Sequence, residues 1–417
     1  MRVALINTNR YLEPPVIPLA IEYLAHYLDR EGHEIKVIDL AFSERPEDML
    51  RNELGSFDPH LAGFTIRNTD TCLYPDSVFF LDEAADIMSA CRDVCDAKLV
   101  IGGSALHAGP AEVAEYVDCD CAVVGPGEKA LPLLLELLAN GAALPRLFNG
   151  WSTGLDASEV PVRGRWLDYS PYLEERGVAG FESQLGCLGK CSFCIEAGLP
   201  WKPRHPDAVV EELRRLAELG CRDLHLCDCE FNQDIEFCKS LLRRIASADL
   251  DIEWSPYMKV LPYDAELFRL IAEAGVRTIT LSIDSQSLAS GEYDLPAVAG
   301  FIREARANGI KLAADVLLGF PREELEELKG IIDFFKRERP DTVGVHSWIR
   351  LFKYSAIGRE IMTKPPGKGR IEGSDPDYLQ PVFYNWLDNG ACESLIDGDP
   401  LFRIEGMERF SNYERLK

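Results

Sequence analysis

The run Gly186-Cys187-Leu188-Gly189-Lys190-Cys191-Ser192-Phe193-Cys194 places three cysteines on one short loop, spaced CxxxCxxC, directly after the strand-like segment 181–185. Three thiolates on such a loop can hold three corners of a cubane iron–sulfur cluster and leave its fourth iron open. An open iron can bind a small molecule and pass it an electron, so the loop predicts redox chemistry. Structural zinc is the alternative, and His205, Cys221 and Cys227 are the residues that could complete its four ligands.

The other cysteines do not suggest a disulfide framework. The chain has thirteen cysteines in 417 residues, and because its N-terminus reads directly into a strand we expect no secretory leader. We therefore expect a reducing cytoplasm, in which most cysteines, Cys227 and Cys229 among them, are small buried hydrophobic residues. No apolar run approaches the ~20 residues of a transmembrane helix, so we expect no membrane span.

The charge balance is strongly acidic, with a formal net charge of −25. Because phosphate contacts need lysine and arginine, this charge argues against a general nucleic-acid binder and against an anionic membrane surface. The segment 346–370 departs from the trend, since it contains Arg350, Lys353 and four further basic residues against Glu360 alone. It is either a solvated basic face or a site for carboxylates or phosphates of a ligand.

The N-terminal part alternates short apolar strands with helices. Five continuous apolar strands separated by helices predict a doubly wound α/β fold, with a parallel sheet that is covered on both faces. The predicted strands are 2–7, 34–40, 61–66, 98–103 and 121–125, and the predicted helices are 18–31, 45–54, 76–92, 110–117 and 128–140.

Glycine turns follow the fourth and fifth of these strands. The fourth strand leads into Gly102-Gly103-Ser104, and the fifth into Gly125-Pro126-Gly127-Glu128 followed by a helix. Ligands of parallel sheets bind at the carboxyl ends of the strands, and glycine lets the backbone approach a ligand closely. Such turns are also common for purely steric reasons, so the pattern alone is weak evidence of a ligand site.

A second alternating set begins at residue 181. Its six β/α units are too few to close an eight-stranded barrel, which predicts a splayed partial barrel. The predicted strands are 181–185, 223–227, 252–256, 276–283, 311–317 and 341–347. The domain boundaries that we predict are 1–142 for the N-terminal domain, 143–180 for a linker rich in Gly and Pro, 181–365 for the partial barrel and 366–417 for a small irregular C-terminal extension.

The cysteine loop, in this place within a six-unit β/α array, resembles the radical S-adenosylmethionine (SAM) enzymes. In that superfamily three cysteines ligate a [4Fe–4S] cluster and SAM binds the fourth iron. The resemblance implies that Cys187, Cys191 and Cys194 are the metal ligands and the catalytic centre. Segments at the ends of later strands look like the family's motifs for the methionyl group, the ribose and the adenine. The SAM-binding residues so implied are Phe193, Asp228, Glu230, Ser282, Asp284, Gly319 and Glu323.

The N-terminal half resembles the flavodoxin-like or Rossmann-like cobalamin-binding domain that precedes the radical domain in one large subclass. The resemblance lies in Pro18–Ala25, Gly32–Glu34, Val37–Asp39 and Gly125–Pro132, in that order. The Asp-x-His-x-x-Gly motif that gives cobalt a histidine in other cobalamin proteins is absent, so we expect a corrin without histidine ligation. A degenerate domain that has lost its ligand is the alternative. The cobalamin-binding residues implied are Thr65, Arg67, Gly102, Gly103, Ser104, Gly125, Gly127 and Glu128, with a surface salt bridge as the alternative for Arg67.

Both halves together imply a cobalamin-dependent radical SAM methyltransferase that abstracts hydrogen from an unactivated carbon and transfers a methyl group from methylcobalamin. A cyclase or ring-rearranging enzyme with the same cofactors is one alternative, and a non-catalytic iron–sulfur or zinc protein is another. A tRNA methylthiotransferase is disfavoured by the acidic charge. The implied partners are a small-molecule or peptide substrate and an electron donor such as a ferredoxin or flavodoxin.

Overall fold

The computed structural model describes residues 1–364, 367–387 and 389–404. The chain forms two compact units, which are described in turn. The first consists of Met1–Thr71, Val78–Gly180 and Glu211–Cys221, and the second consists of Cys72–Ser77, Phe181–Val210 and the residues from Arg222 onward. No helix within the described ranges is long and apolar enough to cross a membrane.

Strands and helices alternate through most of the described chain. The strands are β1 Arg2–Asn7, β2 Glu34–Asp39, β3 Leu61–Thr65, β4 Lys98–Gly102, β5 Cys121–Val124, β6 Leu147–Asn149, β7 Ala179–Phe181, β8 Gln184–Leu185, β9 Lys202–Pro203, β10 Asp223–Leu226, β11 Glu253–Ser255, β12 Tyr257–Lys259, β13 Thr278–Asp284, β14 Lys311–Leu317, β15 Thr342–His346, β16 Ile349–Arg350, β17 Arg370–Glu372, β18 Phe383–Asn385 and β19 Phe402–Ile404. The helices are α1 Leu19–Arg30, α2 Pro46–Phe57, α3 Leu81–Arg92, α4 Pro110–Tyr116, α5 Ala130–Ala139, α6 Ser170–Glu174, α7 Pro206–Glu218, α8 Ile235–Ser247, α9 Ala265–Glu273, α10 Ser285–Ser290, α11 Leu295–Ala307, α12 Leu325–Glu338, α13 Ala356–Thr363 and α14 Asn389–Ile396.

The first unit is built on a parallel sheet in the order β2-β1-β3-β4-β5-β6. The first five strands are the predicted ones, and the order 2-1-3-4-5 is the flavodoxin-like one, whose switch point lies between β1 and β3. The sixth strand is new: Leu147 pairs opposite Ala122 in a segment predicted to be a linker. The apolar pattern missed β6 because Leu147 and Asn149 are exposed on this edge strand.

The segment after β6 is held to the first unit by one buried arginine. The Arg163 side chain is fully buried, and it donates to Glu22 of α1 and to Glu212 of α7, both at 2.6 Å. Its guanidinium also donates to the Gly180 carbonyl at 3.0 Å. A planar guanidinium can serve several acceptors at once, so Arg163 ties this segment to two helices without a sustained hydrophobic pattern.

The predicted helix 76–92 begins only at Leu81 as α3, because the residues before it make other contacts. The arm Cys72–Ser77 belongs to the second unit. There the Tyr74 ring stacks on the Trp348 ring with centroids 4.0 Å apart and also meets Phe383 edge-on at 5.5 Å. Tertiary contacts of this aromatic side chain override the local helical pattern.

The second unit contains the predicted partial barrel. Its strands form the sheets β11-β10-β7 and β12-β13-β14-β15-β19. β10 pairs parallel with β11, and all neighbouring strands of the second sheet are parallel. The predicted third strand is divided at Pro256 into β11, which pairs with β10, and β12, which pairs with β13. Proline has no backbone N–H and cannot donate to a ladder, which accounts for the break.

The described part of the C-terminal extension is more regular than its composition suggests. β19 pairs parallel with β15 and adds a seventh strand to the barrel array. β18 pairs antiparallel with β16 and β17. Arg350 lies in β16, buried, and donates to the backbone carbonyls of Tyr378 and Leu379, so this member of the basic segment holds the extension in place. Residues 405–417 of the predicted extension lie outside the described residues.

Candidate functional site

The three-cysteine loop starts at the end of β8 and returns at β9, and these two short strands pair antiparallel. At its start, Gly186 has φ of 77°, and a Cβ there would lie 2.1 Å from the Pro200 carbonyl oxygen. Glycine alone fits this turn without strain. The Cys187 amide donates to the Leu199 carbonyl at 3.2 Å, so the first ligand is fixed against the far end of the loop.

The Cys187 and Cys191 sulfurs both lie next to Gly189 in the middle of the loop. A Cβ on Gly189 would lie 3.1 Å from the Cys187 sulfur and 3.9 Å from the Cys191 sulfur. The Gly189 amide donates to the Cys187 Sγ at 3.3 Å, and the Glu196 amide donates to the Cys194 Sγ at 3.4 Å. Backbone N–H groups of this kind stabilise thiolate ligands and tune the potential of an iron–sulfur cluster.

The loop offers three thiols on one short segment, which is the donor set of a cubane cluster with one open iron. In the part of the chain that the structure describes, no group of three or more His, Cys, Asp or Glu is placed to hold one metal ion. Zinc draws four ligands to within about 2.0–2.3 Å of one point, whereas a cubane takes each thiolate on a different iron. Of the other candidate zinc ligands, Cys221 is buried in the first unit and His205 is 3.6 Å from Asp207. Cys227 is exposed, so the expectation that it is buried was wrong. The donor set fits the [4Fe–4S] cluster.

Burial keeps two of the three thiols protonated. It raises the pKa of Cys191 to about 12 and that of Cys194 to about 11. A hydrogen bond with the Cys229 thiol instead lowers the pKa of Cys187. Since the thiolate is the metal ligand, loading of this loop must release protons from Cys191 and Cys194.

Cys229 is a site residue that sequence reasoning missed. Its thiol contacts that of Cys187 and donates to the Glu196 Oε2 at 2.9 Å, so it does not pack as an ordinary core residue. The feature of the sequence that could have identified Cys229 is its position at the end of the second barrel strand, next to the strand that leads into the cysteine loop. Spacing alone could not distinguish it from the buried cysteines.

Asp228 and Glu230, both predicted to bind SAM, differ in what their carboxylates do. Asp228 is buried and accepts the amides of Ser183 at 2.8 Å and Gln184 at 3.1 Å, together with the Ser183 hydroxyl. Burial raises its pKa to about 6. The Glu230 Oε2 is buried and has no hydrogen-bond partner among the described residues, and burial raises the pKa of this carboxyl to about 8. Glu230 therefore retains the capacity to bind a ligand.

Ser282 and Asp284 lie on β13 at the carboxyl end of the barrel strands. In the ladder, Ser282 stands between Lys259 of β12 and Asp315 of β14. Asp284 is the N-cap of α10, because its Oδ1 accepts the Ser287 amide at 2.7 Å, and burial raises its pKa. The Asp284 carboxylate thus has a structural partner on one oxygen.

The turn after β14 contains the predicted adenine residues. Gly319 has φ of 87°, and a Cβ there would lie 2.3 Å from the Ser347 carbonyl oxygen. The Glu323 carboxylate folds back and accepts the Gly319 amide at 2.6 Å, and burial raises its pKa to about 6. The rings of Phe193 and Phe320 lie 5.8 Å apart beside this turn, which brings the aromatic of the cysteine loop to the end of β14.

In the first unit, the loops after β3 and β4 are joined by hydrogen bonds. The Ile66 amide donates to the Gly102 carbonyl at 2.8 Å, and the Ser104 hydroxyl donates to the Arg67 carbonyl at 2.6 Å. Gly103 has φ of 112°, and a Cβ there would lie 2.2 Å from the Ile66 carbonyl oxygen, whereas a Cβ on Gly102 would meet nothing closer than 4.0 Å. Gly103 is thus required by the fold, and Gly102 leaves open space at the strand end.

The second glycine turn has internal packing reasons for its glycines. A Cβ on Gly125 would lie 2.6 Å from the Trp151 ring, and one on Gly127 would lie 2.9 Å from Leu24. Glu128, which follows, is buried. The steric interpretation of this turn therefore accounts for Gly125 and Gly127, and their role as cobalamin contacts stays a prediction.

Arg67 lies exposed at the switch point between β1 and β3. It lines a small cavity of about 60 Å³ at the ends of these strands, with Thr8, Arg10 and Asn68 among its neighbours. Its side chain makes no ion pair with any residue in the described ranges, so the salt-bridge alternative is not realised there. Thr65, just before it, accepts the Thr8 hydroxyl on its carbonyl at 2.9 Å.

The histidines of the first unit have other partners. His26 contacts Glu159, His33 contacts the amino group of Met1 at 3.1 Å, and His60 accepts the Arg2 amide at 3.0 Å. His107 lies beside the Trp151 ring, with centroids 6.4 Å apart.

Comparison with known proteins identifies both units. The model of the radical SAM superfamily matches residues 181–335, and that of the B12 binding domain matches residues 9–135. A curated relative, tryptophan 2-C-methyltransferase of Streptomyces laurentii, is 26% identical over 456 residues, covering 89% of this chain and 76% of that protein.

Solved structures of the radical SAM methyltransferase TsrM from Kitasatospora setae are similar over almost the whole chain. The form with cobalamin and a [4Fe–4S] cluster matches with a TM-score of 0.85 at 25% identity, covering 97% of this chain and 92% of that one. The form with tryptophan and aza-SAM matches with a TM-score of 0.86 at 25% identity, covering 97% and 90%. The two domains imply a [4Fe–4S] cluster, SAM and cobalamin as cofactors. Residues 181–335 thus form a radical SAM domain, and a B12-binding domain within residues 9–135 precedes it.

Proposed function

We propose that this protein is a cobalamin-dependent radical SAM methyltransferase that methylates a carbon atom of a small molecule or peptide. The observation that carries the proposal is the match to TsrM, a methyltransferase, over 97% of this chain with a TM-score of 0.86. When bound, the cluster and SAM supply one-electron reduction and a carbon radical that abstracts hydrogen, and cobalamin supplies the methyl group. The cyclase and sensor alternatives have no comparable support.

On the SAM side, we propose that the chain positions the cosubstrate with groups at the carboxyl ends of the barrel strands. Glu230 receives the methionyl amino group, because its Oε2 is buried without a partner among the described residues. Ser282 faces the ribose, and Phe193 with the Gly319 turn borders the adenine. Asp228, Asp284 and Glu323 hold these segments through the backbone bonds described above, and direct contact with SAM remains our prediction for them.

On the cobalamin side, we propose that Arg67 and the open strand end at Gly102 face the lower side of the corrin. Arg67 is exposed at the switch point and carries no ion pair in the described ranges. The joined loops of Thr65–Arg67 and Gly103–Ser104 would hold the ring without a histidine ligand. Arg67→Ala should weaken cobalamin binding, as measured by the corrin absorbance retained after gel filtration, and wild-type retention would contradict this role.

We further propose that a one-electron carrier such as a ferredoxin or flavodoxin reduces the cluster and that nucleic acid is not a partner. The net charge of −25 supports the second point, since phosphate binding needs a basic surface. All thirteen cysteines are free thiols, which suits the reducing cytoplasm expected from the sequence.

The test uses reconstituted protein with a strong reductant, cobalamin and SAM whose methyl group carries deuterium. Tryptophan is the first substrate to try, because the TsrM structure holds it and the curated relative methylates it. A product with one labelled methyl group in place of hydrogen supports the proposal, and release of 5′-deoxyadenosine with it supports hydrogen abstraction. A product that has lost hydrogens without gaining the label would instead support the cyclase alternative. Failure to consume SAM under reduction would overturn the enzyme assignment.

A further inference from the structure

We propose that Gln233 is the positioning residue of the cluster ligand Cys187. Gln233 ends a short 3-10 turn, Phe231–Gln233, beyond β10, and its side chain is buried. Its Nε2 donates to the Gly186 carbonyl at 3.1 Å, and its Oε1 accepts the Leu188 amide at 2.7 Å. The carboxamide thus forms hydrogen bonds with the backbone on both sides of Cys187, one as donor and one as acceptor, as the backbone of a neighbouring strand would.

These two hydrogen bonds determine which backbone amide can donate to the Cys187 sulfur. The Leu188 N–H is occupied by Gln233, so the next amide along the loop, Gly189 N–H, is the one that donates to the Cys187 Sγ at 3.3 Å. An N–H···S bond favours the thiolate and raises the reduction potential of the cluster it binds. Gln233 therefore acts on the cluster through the shape of the turn and does not touch the metal.

The backbone next to Gln233 is fixed by hydrogen bonds. Gln184 Nε2 donates to the Phe231 carbonyl at 2.8 Å, and Asn232 exchanges hydrogen bonds with the Lys259 backbone, with its Nδ2 donating at 2.9 Å and its Oδ1 accepting at 3.0 Å. The two residues that precede Gln233, Phe231 and Asn232, are thus fixed to neighbouring strands. A side chain held in this way can define the position of a loop, because it loses little further freedom when it binds.

The inference rests on the cluster site and is independent of the methyl-transfer proposal, so its test uses readouts other than turnover. Gln233→Met keeps the approximate volume and removes both bonds to the loop. Gln233→Glu keeps the acceptor for Leu188 and loses the donor for Gly186. Gln380→Met is the matched control, because Gln380 is exposed in the same unit.

The cluster is reconstituted anaerobically in all four proteins, and its removal by an iron chelator is followed by absorbance. We expect removal about tenfold faster in Gln233→Met, an intermediate rate in Gln233→Glu and the wild-type rate in Gln380→Met. We also expect a lower midpoint potential for Gln233→Met by redox titration followed by electron paramagnetic resonance, because the N–H···S bond is weakened. If Gln233→Met cannot be loaded with a cluster, the comparison of chelation rates between Gln233→Glu and wild type tests the proposal.

Wild-type chelation rates and potentials in both Gln233 variants would overturn the proposal. An equal loss of thermal stability in the cluster-free variants with unchanged potential would also overturn it, because it would assign Gln233 to general folding. Loss of methyl transfer with unchanged cluster properties would likewise contradict it.

Discussion

Replacement of Arg163 by methionine tests whether one buried guanidinium holds the segment after β6 to the first unit. Arg163 is fully buried and pairs with Glu22 and Glu212, each at 2.6 Å. Methionine fills a similar volume but leaves two buried carboxylates without their cation. Breaking a buried pair in this way costs about 3–5 kcal/mol, against a total stability of about 5–15 kcal/mol for a typical domain.

The two units can unfold separately, so the assay must resolve them. Hydrogen exchange followed by mass spectrometry reads peptides of α1, which contains Glu22, and of barrel strands in the same experiment. At about 1.4 kcal/mol per tenfold change, a loss of 3 kcal/mol speeds exchange in the α1 peptides more than a hundredfold. Peptides of β13 and β14 should keep their rates.

Arg165→Met is the matched control, because Arg165 pairs with Asp29 on the surface, with side chains 53% and 36% exposed. An exposed pair contributes about 1 kcal/mol or less. Equal exchange rates in the Arg163 and Arg165 variants would refute the reasoning. The double variant Glu22→Gln with Arg163→Met should recover part of the loss, because one uncompensated carboxylate is gone.

Three further predictions address the two sites. Cys191→Ala should abolish cluster binding, measured as iron per chain, while corrin absorbance is retained, and loss of the corrin instead would show that the two domains are not independent. Gly103→Ala should destabilise the first unit by at least about 1–3 kcal/mol, because its φ is 112° and its Cβ would meet Ile66, whereas Gly102→Ala should be tolerated. Burial raises the pKa of Asp228 from 3.8 to about 6, so wild-type stability should fall as pH rises through that window, and the isosteric Asp228→Asn should flatten this slope in urea titrations at each pH. An unchanged slope would contradict the Asp228 pKa shift.

The sheets were predictable where their strands are continuous apolar runs. β1, β3, β4 and β14 lie within one residue of the predicted bounds, because side chains buried on both faces leave an uninterrupted pattern. β6 and β19 were missed because short edge strands bury little and are formed by pairing with a strand far away in sequence. The break of the third barrel strand was readable in principle from Pro256, since proline cannot donate to a ladder.

The arm Cys72–Ser77 could not be predicted from local pattern. A helical periodicity continues through residues 76–80, but Tyr74 and its neighbours are fixed by stacking on Trp348, which lies more than 270 positions further along the chain. Local propensity is worth a few tenths of a kcal/mol per residue, and a buried aromatic contact outweighs it.

The contrast between local sequence pattern and contacts distant in sequence also holds for the predicted cluster ligands and the residues near them. Cys187, Cys191 and Cys194 lie within eight residues, so the spacing alone predicts that they bind a metal. Gln233 and Cys229 reach Cys187 only because β10 lies beside β7 in one sheet, which brings the segment after β10 to the loop that starts the barrel. A glutamine or a cysteine some forty residues downstream has no spacing signature, and each resembles an ordinary polar or core residue in the sequence. Candidate ligands can thus be predicted before the fold is known, whereas the groups that contact the segment around them become visible only through the pairing of strands.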